Sequence, residues 1–240
     1  MNPFILALKA RNLTVEIHHH SAYQLVLSND TPFNSTINGK LNERIHGFLI
    51  KPHVSHFCVA ENGTLNVLNI EPYSHIGLEL AGRFKENEEY IVFDSPSETN
   101  SFFQTPKDSL DVNKIVVALL SKLPSVNYDE RVTKIVEYIK ANYFQSDITP
   151  QTFADMVFLS PSRLASLFKE QTGSSLSKYL LWIRLRQAIY LTLSDKDRSL
   201  TDIAYDTGFY DLPQFNKYMY EMFGMPPKAL KFNSDLIQVY

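Results

Sequence analysis

The stretch Ile203–Pro227, IAYDTGFYDLPQFNKYMYEMFGMPP, decides how the chain folds. Four of its apolar residues recur at the i, i+3, i+4 and i+7 spacing of an amphipathic helix, and they are Phe215, Tyr218, Met219 and Met222. Asp211 can cap this helix, Pro213 fits its first turn, and Gly208 supplies a bend upstream. A shorter helix over Leu200–Thr207 precedes the bend. The pattern predicts a helix-turn-helix, whose second helix is sized for a DNA major groove.

A similar unit precedes this stretch. Thr149 can cap a short helix over Pro150–Met156, and Ser160 with Pro161 opens a second one. The second helix, predicted over residues 161–170, would bury Leu164, Leu167 and Phe168, and Thr172-Gly173 would end it. A long helix over Leu176–Leu193 joins the two units. The sequence therefore predicts two helix-turn-helix motifs held apart by one rigid helix.

Both units resemble the two helix-turn-helix motifs of AraC-type transcription regulators. The second motif matches the family spacing at Ile203, Ala204, Gly208, Phe209, Asp211, Phe215, Lys217, Phe223, Gly224 and Pro226. The first matches through SPSRLASLFKEQTG, residues 160–173. The resemblance covers Asp129–Leu230, including a helix over Asp129–Tyr143. It implies a seven-helix DNA-binding domain and sequence-specific transcription regulation, with no catalysis.

The residues opposite the buried stripes would face DNA. On the first recognition helix they are Ser162, Arg163, Ser166 and Lys169, and on the second they are Pro213, Gln214, Asn216, Lys217 and Tyr220. Lys169 is suited to phosphate, Lys217 to guanine, and either Gln214 or Asn216 to adenine. Family members commonly have Arg where Lys217 stands, and lysine lacks the bidentate fork of arginine. The alternative for each polar residue is a solvated helix face.

The first half of the chain has the alternating pattern of β-strands. Short apolar runs follow one another every 8–12 residues from Asn12 to Phe84, and Asn38-Gly39 is a strong hairpin signal. This order of elements is similar to the cupin-like sensor barrel that often precedes AraC-type domains. We therefore predict an α+β chain in which residues 1–124 form a cupin-like β-barrel for sensing and oligomerisation. Residues 125–240 would form the all-α DNA-binding domain.

An apolar helical stripe closes the first half before Pro124. Its residues are Leu110, Ile115, Val116, Leu119 and Leu120. The stripe could pack back on the barrel or pair with a second copy, so a homodimer is one of two readings. The following segment, Pro124–Asn127, is a short link.

Composition bounds the remaining alternatives. The net charge of the chain is −3, and residues 1–124 hold 10 Lys+Arg against 13 Asp+Glu, whereas residues 125–240 hold 13 against 13. A neutral helical half argues against strong nonspecific DNA affinity, although its charges can still segregate. A single cysteine, Cys58, suits a reducing cytoplasm, and no apolar run approaches the ~18 residues of a membrane span.

All seven histidines lie in the first half. His18 and His20 share one strand face, and the pair His53 and His56 could approach them, as in metal-binding cupins. The pattern lacks the carboxylate that metal cupins place three or four residues after the His-x-His. We therefore expect packing or pocket histidines, with no metal and no cofactor. Four aromatic residues could line an apolar ligand pocket: Phe33, Phe48, Phe57 and Tyr73.

The expected partners are double-stranded promoter DNA, a small-molecule effector, RNA polymerase if the protein is an activator, and a second copy of the chain. A cupin metalloenzyme with an appended helical domain is the alternative from another class. An effector-binding module whose neutral helical domain binds protein instead of DNA is a third reading.

Overall fold

A computed structural model describes residues 5–11, 14–59, 63–72, 74–106, 111–121, 128–172, 174–232 and 237–239. The strands of the first half are β1 (Ile5–Arg11), β2 (Thr14–His18), β3 (Tyr23–Ser28), β4 (Phe33–Ile37), β5 (Lys40–Ile45), β6 (Gly47–Ile50), β7 (His56–Val59), β8 (Thr64–Ile70) and β9 (Tyr90–Phe93). The predicted hairpin is confirmed, since Asn38 and Gly39 join β4 to β5 with φ of 48° and 76°.

The strands form two antiparallel sheets. One has the order β10-β1-β8-β3-β6-β9, in which β10 is the C-terminal strand Ile237–Val239, and the other has the order β2-β7-β4-β5. Side chains from both sheets, among them Phe33, Phe48 and Cys58, form one core between them. The predicted pocket aromatics Phe33 and Phe48 thus serve as core, Phe57 is half-buried, and Tyr73 lies outside the described residues.

The predicted barrel is not closed. Among the described strands, no hydrogen-bonded pair joins the two sheets at their edges. A sandwich and a barrel both bury alternate residues of each strand, so the sequence pattern does not distinguish them.

Three helices cover the outer face of the larger sheet: α1 (His75–Ala81), α2 (Pro96–Phe103) and α3 (Val112–Leu120). The sequence pattern predicted only α3. Ile115 and Leu119 of α3 are fully buried in a core with Leu25, Leu49 and Leu68 of the sheet. The alternative in which this stripe pairs with a second copy is therefore wrong for Ile115 and Leu119, because the chain's own sheet covers them. Leu110 and the Leu120 side chain lie outside the described residues.

The second half is helical, as predicted. Its helices are α4 (Glu130–Asn142), α5 (Pro150–Met156), α6 (Pro161–Thr172), α7 (Leu176–Ser194), α8 (Leu200–Asp206), α9 (Leu212–Phe223) and α10 (Pro227–Phe232). The predicted caps are present: Thr149 accepts from the Thr152 amide, and Asp211 accepts from the Gln214 amide. The predicted link Pro124–Asn127 lies outside the described residues.

The two halves pack against each other extensively. Leu6 and Ala10 of β1, with Ala22 just before β3, belong to the same hydrophobic core as α4 to α10, and β10 returns to pair with β1. At this seam the carboxylate of Glu71 is fully buried and accepts a hydrogen bond from the Tyr179 hydroxyl.

The same carboxylate is paired with two cations of the helical half. Lys140 Nζ lies 3.3 Å from one of its oxygens and Arg186 Nη1 lies 3.9 Å from the other. Burial raises the pKa of Glu71, while Lys140 and Arg186 act in the opposite direction.

Candidate nucleic-acid interface

The first helix-turn-helix consists of α5, a turn, and α6. Leu164, Phe168 and Thr172 are buried on the inner side of α6. The four predicted DNA-contacting residues are exposed on the other side, and they are Ser162, Arg163, Ser166 and Lys169. The structure thus places all four on one accessible face.

Local hydrogen bonds limit what the two serines can read. The Ser166 hydroxyl donates to the Ser162 carbonyl (3.2 Å), and the hydroxyls of Ser160 and Ser162 lie 3.3 Å apart. Arg163 and Lys169 therefore hold the main charge of this face. Since both serines are engaged locally and Lys169 lies in the last turn, α6 is better suited to positioning than to base discrimination.

The second helix-turn-helix consists of α8, a turn, and α9. Phe215, Met219, Met222 and Phe223 are buried, and the predicted stripe residue Tyr218 is half-buried. Pro213, Lys217 and Tyr220 are exposed, whereas Gln214 and Asn216 are half-buried on the flanks. The outward direction predicted from the helical phase is the direction the structure shows.

Two of these residues have neighbours that alter their role. The Gln214 side-chain oxygen accepts from the Tyr210 amide (2.9 Å), so only its NH₂ group remains available for a base. Lys217 Nζ lies 4.0 Å from Glu221 Oε1, an exposed i, i+4 pair that contributes ~0–1 kcal/mol at most. Lys217 can therefore leave Glu221 for DNA at low cost.

The two motifs share the same turn. Phe158 and Gly208 occupy its left-handed position, with φ of 55° and 85°. The next residue donates in the same way in each motif: Leu159 N to Ala154 O at 3.1 Å, and Phe209 N to Ala204 O at 2.9 Å. Phe158 is also 94% exposed, and no motif or periodicity in the sequence marks it.

Gly208 is required by close packing as well as by its φ. A Cβ atom there would lie 2.5 Å from the Tyr143 carbonyl oxygen and 2.8 Å from Arg184 Nε. Arg184 on α7 donates to the carbonyls of Tyr143 (2.7 Å) and Gln145 (2.6 Å). These contacts hold the second turn against α7 and the end of α4.

The connecting helix fixes the spacing of the recognition helices. α7 has 19 residues, nine of them buried, among them Tyr179, Trp182 and Leu185. Its length is roughly 28 Å at 1.5 Å per residue. Because α7 is embedded in the core, α6 and α9 cannot move independently.

The inner end of α9 contacts the smaller sheet of the first half. Gly224 caps α9 with φ of 64°, and a Cβ atom there would lie 2.4 Å from the Glu16 carbonyl oxygen in β2. The His19 amide donates to the Glu221 carbonyl over 3.4 Å. The second recognition helix is thus joined directly to the first half of the chain.

Three histidines meet at the same seam. His18, His20 and His56 are buried within reach of one another, whereas His53 lines a cavity between the two halves that His20 also borders. Burial lowers the pKa of His18 to about 4 and that of His20 to about 3, and it lowers the pKa of His56 well below 6.5. All three imidazoles are therefore neutral at pH 7.

Comparisons with known proteins agree with this geometry. A helix-turn-helix domain family model matches residues 153–231. The transcriptional activator RhaS of Enterobacter sp. (strain 638) is 31% identical over 109 residues, which is 45% of this chain and 38% of that protein. The uncharacterised regulator YobQ of Bacillus subtilis is 28% identical over 120 residues, covering 50% of this chain and 47% of that protein. The matched segments thus span half or less of these relatives.

Solved structures extend the likeness of fold. ToxT from Vibrio cholerae superposes with a TM-score of 0.61 over 95% of this chain and 98% of that one, at 13% identity. The fold and its two exposed recognition helices define a helix-turn-helix DNA-binding protein. Within that class, the helical half of the chain resembles the AraC-type transcription regulators, since the family model matches residues 153–231 and the RhaS likeness covers 45% of this chain.

The same findings bear on the alternatives. The relatives and fold neighbours are transcription regulators, so the metalloenzyme alternative is not supported. The matched helix-turn-helix domain likewise favours DNA over protein as the ligand of the helical half. None of the described helices combines the length and apolar content needed to span a membrane.

Proposed function

We propose that the protein regulates transcription by placing α6 and α9 in two successive major-groove segments on one face of promoter DNA. The observation that supports this is the pair of exposed polar helix faces joined by the embedded helix α7. Neighbouring groove segments recur every ~34 Å, or about 10 bp, which is compatible with the length of α7. Footprinting should show two contacted segments about one turn apart for each chain, and a single contacted segment would contradict the proposal.

Within this interface, Lys217 is the proposed base-reading residue and Lys169 a phosphate contact. Lys217 lies at the centre of the exposed face of α9, while Lys169 lies in the last turn of α6. Lys217→Ala should weaken binding to the specific site by ~1–3 kcal/mol more than binding to random DNA, whereas Lys169→Ala should weaken both similarly. Electrophoretic mobility shifts on both DNAs at fixed salt measure the difference. Equal losses for both variants would reduce Lys217 to a phosphate contact.

We also propose that the first half is a sensor for a small molecule that binds where the halves meet. A cavity of about 420 Å³ is lined by His19 and His53 on one side and by Lys178, Leu181 and Tyr218 of the helices on the other. One solved ToxT structure holds an unsaturated fatty acid. An apolar molecule with an acidic group would match the mixed lining and Lys178.

Thermal shifts test this sensor proposal. A monounsaturated fatty acid below its critical micelle concentration should raise the melting temperature, and its methyl ester should raise it less. Lys178→Ala should remove the difference between the two. No shift with the free acid would contradict the proposed ligand class.

An activator would also contact RNA polymerase, and a homodimer would add a second DNA-binding arm at high effective concentration. Both remain predictions, and Ile115 and Leu119 of the stripe on α3 are buried within the chain and do not supply the homodimer surface.

A further inference from the structure

Three histidine side chains converge beneath the helical half of the chain. His18 ends β2, His56 begins β7 as its partner in the strand register, and His20 follows two residues after His18. Their ring centroids are 4.2 Å (His18 to His56), 5.2 Å (His20 to His56) and 5.8 Å (His18 to His20) apart. One nitrogen from each ring lies within 4.8 Å of the others, and all three residues are buried. His19, between two of them, points outward and is exposed.

Backbone hydrogen bonds fix which nitrogen faces the centre of the cluster. The Nδ1 atoms of His18, His20 and His56 lie 2.8 Å, 3.0 Å and 2.9 Å from the carbonyl oxygens two residues away. A carbonyl oxygen only accepts, so each neutral ring carries its proton on Nδ1 and leaves a lone pair on Nε2. Backbone anchoring of one nitrogen is the arrangement that orients metal-ligating histidines.

Two of the three lone pairs lack a hydrogen bond of normal geometry among the described residues. These are Nε2 of His20 and Nε2 of His56, both buried, although the Gln24 side chain lies close enough to His20 to influence its pKa. An unsatisfied buried polar atom is costly, and buried polar groups are nearly always paired. Simple packing would be served better by apolar residues here, since three facing acceptors cannot satisfy one another.

We propose that His18, His20 and His56 bind a divalent transition-metal ion, foremost Zn²⁺, through their Nε2 atoms. Imidazole nitrogens suit zinc, copper, nickel and iron, and three histidines with an open fourth position form a recognised zinc geometry. In a tetrahedral site with Zn–N near 2.05 Å the nitrogens are roughly 3.3 Å apart, so a small rotation of each ring closes the present spacing. Within the described residues, no carboxylate or thiol joins the three histidines.

A cavity beside His18 offers space for a fourth ligand. It measures about 60 Å³ and is lined mainly by apolar side chains, with Gln24, Cys58 and Asn69 as further polar members. In this measure a water molecule needs roughly 10–15 Å³, so a metal-bound water fits.

The proposed site couples the two halves of the chain. The His20 ring lies 5.8 Å from the Trp182 ring on α7 and 6.4 Å from the Phe223 ring on α9. A metal holding β2 and β7 together would therefore stabilise the surface on which the second recognition helix rests. Trp182 is the single tryptophan, so all tryptophan fluorescence comes from a ring beside this site.

The test uses untagged, full-length protein, because a histidine tag would bind the same ions. After treatment with a chelator, the wild type should bind one equivalent of Zn²⁺, change its Trp182 fluorescence and melt at higher temperature. Co²⁺ should give the intense visible bands of four-coordinate cobalt. His20→Ala and His56→Ala should bind Zn²⁺ at least about 100-fold more weakly. Losing a residue that merely hydrogen-bonds a metal ligand already weakens metal binding up to about 100-fold, and losing a ligand itself should cost at least as much. His19→Ala is the matched control and should bind as the wild type does.

Two results would overturn the proposal. The first is a wild type that binds neither Zn²⁺ nor Co²⁺ stoichiometrically, or that gives only the weak spectrum of six-coordinate cobalt. This result needs no variant, so it remains decisive even if His56→Ala misfolds. The second is a loss in His19→Ala equal to that in His56→Ala, which would place binding on the exposed histidines.

Discussion

Replacing Gly224 by alanine should test whether the second recognition helix is held against the first half of the chain. Gly224 has φ of 64°, and an added Cβ would lie 2.4 Å from the Glu16 carbonyl oxygen and 2.8 Å from Val15 Cγ1. Backbone atoms of β2 cannot rotate away, so either the cap of α9 or the strand must shift.

Gly39→Ala separates the two costs of that substitution. Gly39 has a comparable φ of 76° with nothing within 4 Å of an added Cβ. The left-handed conformation alone costs ~1–2 kcal/mol for a residue with a Cβ. Overpacking typically adds ~1–3 kcal/mol, so Gly224→Ala should lose ~2–5 kcal/mol of unfolding free energy.

Urea unfolding followed by Trp182 fluorescence and by circular dichroism measures both variants. Trp182 stacks on Phe223 at 5.6 Å, so its signal reports on the contact beside Gly224. Val15→Ala in the Gly224→Ala background should recover part of the loss, because it removes one of the clashing atoms. Equal losses for Gly224→Ala and Gly39→Ala by both signals would refute the packing of α9 on β2.

Three further predictions follow from single residues. Phe158→Gly should raise the free energy of unfolding by ~0.5–1 kcal/mol, because glycine adopts the left-handed backbone conformation without strain and the lost side chain is 94% exposed. A lower melting temperature would contradict this. Ile115→Asp should cost several kcal/mol of unfolding free energy and unfold the first half, whereas Val117→Asp on the exposed side of α3 should change stability by less than ~0.5 kcal/mol. Circular dichroism with sedimentation measures both variants, and a folded, monomeric Ile115→Asp would contradict the prediction. Glu71→Gln should change how stability depends on pH, because burial raises the pKa of Glu71 above 4.5 in the folded protein. The wild type should gain stability relative to this variant as pH falls through the raised pKa, and the gain should level off below pH 4.5. A difference between wild type and Glu71→Gln that does not vary with pH would contradict this.

The sequence by itself determined the helical half. Periodicity, caps and turn glycines act over a few residues, so the ends of α5 and the outward faces of α6 and α9 could be predicted from neighbours in the chain. The Asn38-Gly39 hairpin was predictable for the same reason, since its turn is set by two residues that accept positive φ.

The tertiary structure alone decided which surfaces meet. Whether the apolar stripe of α3 faced its own sheet or another copy depended on contacts with Leu25 and Leu68, which lie more than 40 residues away. The closure of the sheets depended on edge pairing that alternation does not encode. Likewise, His56 joins His18 and His20 only because β7 pairs with β2, a long-range register that short patterns along the chain do not specify.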